Sequence, residues 1–289
     1  AGIHHGARLP KYAGETFEIR AAREGVVLNE AAPAFGSRKA VLYATCFVNF
    51  NNTGIGAAAR AVLAKNGVET EVVHPACCGM PKFELGDLEG TAAAAKAVSA
   101  ALLPWVDKGY DVIALTPSCA LMLKFEWPLM LPKDPDVERL SRATFDLSEY
   151  VVDVAKKHGL APGLEPLEGG VSVHLACHAR AQNMGAKAAE MLRLVPKTRV
   201  AVVERCSGHG GIWGARKENF EVAVKVGKPA ARAALKNDTS FVASECPLAA
   251  DHLMQVMEMT AGEEKPRPAR ANHPIELLAR AYGLIGGDQ

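Results

Sequence analysis

KAVLYATCFV, Lys39 to Val48, has no polar face. A short apolar run without alternation reads as a strand buried on both sides, the kind a parallel sheet uses. It carries Cys46 near its end, where a helix should begin. Outward from it the pattern is strand and helix in turn. Residues 56–65 are alanine-rich and helical, 68–74 (VETEVVH) read as a second strand, and 87–108 as a long helix. Residues 110–116 (YDVIALT) give a third strand, and Cys119 opens a helix expected to break at Pro128 and Pro132. Residues 145–158 read as an amphipathic helix. Upstream, 1–38 is punctuated by Pro10, Gly14, Pro33 and Gly36 and reads as an irregular arm or linker. Downstream, 159–170 reads as a linker, so the first lobe is 39–158 and the second 171–289.

The second half repeats the order. Strands are expected at 171–176, 199–204 and 241–244, with helices at 181–194, 218–236, from Leu248, and at 275–282. Aligning the halves pairs Cys46 with Cys177, Cys77-Cys78-Gly79 with Cys206-Ser207-Gly208, and Thr116-Pro117-Ser118-Cys119 with Cys246-Pro247-Leu248-Ala249. The spacings agree: 31 residues from Cys46 to Cys77 against 29 from Cys177 to Cys206, then 39 from Cys77 to Thr116 against 40 from Cys206 to Cys246. Each cysteine falls just past a strand, at a helix start. In an open parallel sheet those ends converge on one crevice. Helix N-termini there offer N–H groups that stabilise thiolates. The fold class is therefore α/β, two pseudo-symmetric lobes with parallel sheets, flanking helices and metal sites at the strand C-terminal ends. Cysteine packed as ordinary core is the alternative, but packing does not predict a repeated strand-end placement.

Composition narrows the class. The 289 residues are 49% hydrophobic with a net charge of +1, enough for one large or two ordinary domains. The balance gives no sign of a nucleic-acid partner, and no apolar run reaches the roughly 20 residues of a bilayer span. Seven cysteines cannot all pair within one chain. A reduced, cytoplasmic chain is expected, with membrane association only through a partner. Four thiolates suit zinc or an iron–sulfur cluster, and the absence of short C-x-x-C knuckles leans away from zinc.

The pattern Cys…Cys-Cys-Gly…Cys, given twice, resembles the cysteine-rich CCG domain. That domain occurs in the B and D subunits of heterodisulfide reductase and in the C subunit of anaerobic glycerol-3-phosphate dehydrogenase. The resemblance is carried by Ala44 to Asn49, Cys77-Cys78-Gly79, Cys119, Cys177-His178, Gly211-Ile212-Trp213-Gly214, Lys217-Glu218-Asn219 and His273-Pro274-Ile275. It covers residues 39 to 284. Residues 4–17 also resemble the segment that follows a ferredoxin domain in that family.

The resemblance implies an iron–sulfur electron-transfer protein, relaying electrons between a flavoprotein dehydrogenase or other redox partner and an acceptor such as quinone. A ferredoxin domain or subunit would be a further partner. It implies Cys46, Cys77, Cys78 and Cys119 as cluster ligands in lobe 1, an ordinary 4Fe–4S cluster being compatible with four thiolates. It implies Cys177, Cys206 and Cys246 as ligands of an iron–sulfur cluster or zinc in lobe 2. A complete family motif would have cysteine at Thr116, Ser207 and Ala249 as well. His209 is the first candidate for a fourth lobe-2 ligand, and His178 competes with it. His74 and His174, late in strands, read as core histidines. Two rival functions stand beside electron relay: thiol or disulfide reduction at an open lobe-2 iron, and a structural zinc protein.

Overall fold

The structure, a computed structural model, describes residues 2–261 and 270–286. Ala1, and residues 262–269 and 287–289 within the range read as the second lobe, lie outside the described residues.

The KAVLY stretch becomes β1 (Lys39–Tyr43), the inner strand around which lobe 1 is built. β2 (Glu69–Val73) and β3 (Asp111–Ala114) pair with it in parallel, and β4 (Thr144–Asp146) extends the sheet to the order β2-β1-β3-β4. An arm carries α1 (Phe17–Arg23). Helices α2 (Cys46–Phe50) and α3 (Thr53–Lys65) link β1 to β2, and α4 (Met80–Glu84) and α5 (Leu88–Asp107) link β2 to β3. After β3 come α6 (Pro117–Leu121), a π turn (Met122–Glu126), α7 (Trp127–Met130) and α8 (Pro135–Ala143); α9 (Leu147–Lys157) follows β4.

Lobe 2 repeats this plan. Strands β5 (Val171–His174), β6 (Val200–Val203), β7 (Phe241–Ser244) and β8 (Ala271–Asn272) are all parallel, in the order β6-β5-β7-β8. Helices α10 (Cys177–Ala181) and α11 (Lys187–Leu192) precede β6; α12 (Ile212–Ala215) and α13 (Phe220–Asn237) precede β7. α14 (Pro247–Thr260) follows β7, and α15 (Pro274–Ala281) follows β8. Among the described residues no helix is long and apolar enough to cross a membrane.

Strand alternation sorts the core into layers. Ala40 and Leu42 of β1 face inward with Ile113, while Val41 and Tyr43 face outward with Val112 and Ala114. The inward face meets α3 and α9, and these meet α11 and α15 of lobe 2, so one core runs through both sheets. The outer cores are separate, one under α5 and α8 and one under α13 and α14. Tyr282 ties the halves together: its hydroxyl stands 2.9 Å from the Ala161 carbonyl and 3.2 Å from Asn66 Oδ1.

The arm is less irregular than its prolines and glycines suggest. Thr16 Oγ1 accepts the Ile19 N–H and starts α1, and Phe17 is buried where Gly56 leaves room for its ring. Earlier, Ile3 bridges to Arg216, the His4 N–H donates to the Ala215 carbonyl at 2.9 Å, and the His4 ring stacks on Phe220. The Ala13 N–H donates to the Phe50 carbonyl at 2.8 Å. The arm thus straps lobe 2 to lobe 1.

Other elements differ from the sequence pattern for local reasons. Pro128 does not end the helix, because the π turn before it places Pro128 in the first turn of α7, where no helical partner for an N–H is needed. α8 and the three-residue β4 precede the helix expected from Phe145, which starts at Leu147 under an Asp146 cap. The helix expected over 181–194 is confined to α11, Lys187–Leu192, since Asn183 and Gly185 before it adopt positive φ.

Candidate metal centre

Each lobe-1 cysteine is aimed by a backbone device. Thr45, just before α2, sits at φ 59, and its hydroxyl accepts the Val48 N–H at 3.5 Å. Positive φ at a β-branched residue costs on the order of 1–3 kcal/mol and persists where the surroundings enforce it. It turns the chain sharply from β1 and sets Cys46 at the helix start. Gly79, at φ 83, makes the second turn; an added Cβ would sit 3.3–3.4 Å from Ala94 and Thr91 of α5. This lets Cys77 and Cys78 precede α4 while the Gly79 N–H points at Cys77 Sγ, 3.5 Å away. Cys119 comes in the first turn of α6, started by Pro117. The Trp127 indole N–H donates to the Cys78 carbonyl at 3.2 Å and holds this loop from the far side.

The four side chains meet. Cys119 and Cys78 place their sulfurs 3.1 Å apart, Cys78 hydrogen-bonds to Cys77, and Cys46 hydrogen-bonds to Cys77 as well. The Cys46 and Cys78 thiols and the Gly79 N–H all donate to Cys77, which holds it well below the usual thiol range. The others move the other way: Cys46 is raised by its bond to Cys77 and then by burial, and Cys78 by its bond to Cys119, then by that to Cys77, then by burial. Tyr43, beneath all four thiols, is raised by burial and by the thiolate charge it would face. Its hydroxyl donates to the Ala76 carbonyl at 2.6 Å.

Among the described residues no group of three or more His, Cys, Asp or Glu side chains stands ready-spread to hold a metal ion. The lobe-1 thiols are in direct contact instead. Tetrahedral thiolates around zinc, at about 2.3 Å from the metal, lie roughly 3.8 Å apart, so the 3.1 Å pair would open outward to admit one. The donor set fits: four sulfurs, one already favouring thiolate, with an exposed Cys77 on the solvent side and buried Cys78 and Cys119 behind.

Lobe 2 keeps the outer part of this arrangement. Cys177 and Cys206 are exposed and hydrogen-bonded to each other, and the Gly208 N–H points at Cys206 Sγ from 3.3 Å. Burial and the Cys206 sulfur raise the Cys177 thiol. Burial pushes Cys246, at the start of α14, up to about 11 against the N–H groups of Ala249 and Leu248 that donate to it. Ser207 and Ala249, both buried, occupy the places of the contacting pair Cys78 and Cys119.

The histidines divide. Burial lowers His209 to about 4, and the neighbouring imidazoles of His252 and His178 add to the shift. His178 lies near Glu84 and Glu126 of lobe 1. His174 is a satisfied core residue, hydrogen-bonded to Ser244 Oγ and the Arg205 carbonyl, both at 3.0 Å. His74 is half-buried with its Nε2 unpartnered. His252, in mid-helix two turns past Cys246, carried no signal of its own before folding; the structure brings it beside His209, ring centroids 6.4 Å apart.

The comparisons with known proteins follow the two-lobe plan. The cysteine-rich domain model, CCG, matches residues 40–124 and 171–249. The C subunit of the anaerobic glycerol-3-phosphate dehydrogenase of Escherichia coli (strain K12) is 27% identical over 282 residues, covering 96% of this chain and 67% of that protein. Lactate utilization protein A of Bacillus cytotoxicus is 28% identical over 188 residues, 62% of this chain and 75% of the relative. A crystal structure of a hypothetical protein from Helicobacter pylori superposes with TM-score 0.59 at 11% identity, a likeness of fold alone; the chain covers 52% of that protein. The two matched segments, one per sheet, make up more than half of the sequence, and the chain belongs to the cysteine-rich CCG domain family.

Proposed function

We propose that this protein is an iron–sulfur electron-transfer component, passing electrons between a redox partner and an acceptor. The observation that carries the reading is the meeting of Cys46, Cys77, Cys78 and Cys119 at one end of a parallel sheet, with Cys77 held toward thiolate. A cluster bound there would supply a reversible one-electron couple. The chain's own part is to provide four sulfurs, to bury Cys78 and Cys119 away from water, and to aim N–H groups at the charge. A 4Fe–4S cluster in lobe 1 suits the thiolate number. In lobe 2, Cys177, Cys206 and Cys246 form the smaller set, with His209 the candidate fourth donor, for a cluster or zinc. The ranges 39–158 and 171–289, joined by 159–170, then serve as two sites on one shared core.

The relatives support a redox role: one is a subunit of a dehydrogenase and the other a lactate utilization protein. A flavoprotein or comparable donor fits, since the sequence has no nucleotide fingerprint for taking hydride itself. All seven cysteines are free, which suits a reducing, cytoplasmic compartment. A second reading, reaction with a thiol or disulfide, is favoured by the exposure of Cys177 and Cys206. The test is anaerobic purification with iron, acid-labile sulfide and zinc analysis. Iron and sulfide with reversible bleaching support relay; zinc at both sites without sulfide would overturn it.

A further inference from the structure

The repeat makes lobe 1 an internal reference for lobe 2. Each sheet ends on one side in a strand with a single strand neighbour, β2 in lobe 1 and β6 in lobe 2. Ala40, six residues before Cys46, pairs with Thr70, and Val171, six before Cys177, pairs with Val200. Counting on from there, Glu204 is the counterpart of His74. Lobe 1 protects its edge: β2 carries the exposed Glu69 and Glu71, and the Glu18 carboxylate of α1 accepts the outward His74 N–H at 2.7 Å. Lobe 2 does neither. β6 reads Val-Ala-Val-Val without a charge, and Val200, Ala201 and Val202 are only half-buried where Val171 and Val173 beside them are fully buried.

The edge is open in its main chain as well. The Arg199 and Val203 carbonyls accept the Val171 and Leu175 N–H groups, at 2.8 and 3.2 Å, so these residues face β5. Residues alternate sides along a strand, and Val200, Val202 and Glu204 therefore turn their N–H and C=O groups outward. Among the described residues none of those groups is hydrogen-bonded. The surroundings are cationic. Residues 193–238 hold ten lysines and arginines against four acids, a net +6 in a chain of net +1. They include β6 and α13, which packs on it. Lys197 and Arg205 flank the strand, and α13 adds Lys225, Lys228, Arg232 and Lys236; none of the six is in an ion pair among the described residues.

We propose that the open edge of β6 docks a protein partner presenting an extended acidic segment, which adds to the sheet as a further strand. Main-chain bonds to Val200, Val202 and Glu204 hold the segment, and its carboxylates meet the surrounding cations. The edge offers donors and acceptors in turn, which another peptide backbone matches. The phosphates of a nucleic acid or a lipid surface only accept and leave the edge carbonyls unpaired. A second copy is opposed by charge, since pairing β6 with β6 brings two regions of net +6 together. Position gives the edge a purpose. Glu204 and Arg205 lead directly to the exposed Cys206, so a partner seated there lies beside the lobe-2 thiols. The docking does not depend on what those thiols hold.

The probe is a short labelled peptide of alternating Glu and Val, titrated into the full chain by fluorescence anisotropy. The controls are its fully N-methylated form, whose backbone cannot donate, a Lys–Val peptide, a duplex DNA and vesicles of anionic lipid. The Glu–Val peptide should saturate one site, weaken at least tenfold between about 50 and about 500 mM salt, and slow hydrogen exchange at the Val202 N–H. Val202→Pro removes an outward N–H without touching the bonds to β5, and should weaken the peptide at least tenfold with the circular dichroism unchanged. Lys228→Glu with Arg232→Glu should weaken it at least threefold. Should Val202→Pro fail to fold, the N-methylated peptide and the exchange at Val202 decide. No saturable binding, equal binding of the N-methylated or Lys–Val peptide, full affinity in a folded Val202→Pro, or tighter binding of DNA or vesicles than of the peptide would overturn the proposal.

Discussion

Cys78 and Cys119, 41 residues apart in sequence, bring their sulfurs to 3.1 Å, while the equivalent pair in lobe 2 is Ser207 and Ala249. The lobes therefore differ at the buried half of the site. Cys46 and Cys77 keep counterparts in Cys177 and Cys206; the two sulfurs behind them do not.

This asymmetry predicts unequal losses. Cys78 is 2% exposed and is hydrogen-bonded to both Cys77 and Cys119, so Cys78→Ser removes a ligand that water cannot readily replace. Cys78→Ser should lose most lobe-1 iron after anaerobic purification, whereas Cys246→Ser should leave that iron in place. Iron and labile sulfide per chain measure the difference; equal iron content in the two variants contradicts the assignment.

It also predicts a gain. Ser207 and Ala249 are buried at 5% and 6% exposure, so Ser207→Cys with Ala249→Cys puts both new thiols on the inside of the site. The double variant should bind more metal in lobe 2 and change its visible spectrum, with lobe 1 unaltered. A spectrum and metal content identical to the parent would show that these positions do not face the site.

The two CCG-type glycines should not be equally sensitive. At Gly208, φ is +79 and an added Cβ would press into the Ala223 carbonyl and the Gly227 nitrogen of α13. At Gly79, φ is +83 but the Cβ would only touch Ala94 and Thr91, at 3.3–3.4 Å. Both substitutions incur the left-handed strain of about 1–3 kcal/mol, and Gly208→Ala adds overpacking of about 1–3 kcal/mol. Chemical denaturation should rank Gly208→Ala clearly below Gly79→Ala; the reverse order would contradict the packing at α13.

Between the lobes, Asp146 is fully buried, and burial raises its carboxyl to about 6. A raised acid binds protons in the folded state while the unfolded chain has already released them. Its contribution is therefore favourable below about pH 4 and lost as pH rises through about 6. Stability should fall across that window, by on the order of 2–3 kcal/mol from this group. Asp146→Asn keeps an α9 cap that can accept the Ser148 N–H and should flatten the profile between pH 4 and 7. Glu245, facing Asp146, is raised in the same direction, so some slope should remain. An unchanged profile in the variant would remove Asp146 from the account.

The repeat, the parallel sheets and the strand-end cysteines were legible because they rest on local signals. An apolar run such as 39–48 can only be a doubly buried strand or a core helix, and a parallel sheet delivers every strand end to one edge. β4 and β8 were not legible. They are three and two residues long, and pairing with β3 and β7 makes them strands rather than any preference of their own. α1 was hidden for a similar reason: its seven residues gain their stability from Phe17 buried over Gly56, a contact made only after folding.

The sequence by itself determined that seven thiols fall in two sets with matching spacing, and that the second set lacks partners at Ser207 and Ala249. Only the tertiary structure decided that their lobe-1 counterparts, Cys78 and Cys119, are the buried, contacting pair, because that depends on how the Cys78 loop meets α6 beside Trp127. It alone decided that His252 stands beside His209. Spacing along a chain records covalent neighbours; a sulfur pair or an imidazole pair depends on side chains brought together from different elements, and the packing of those elements sets their distance.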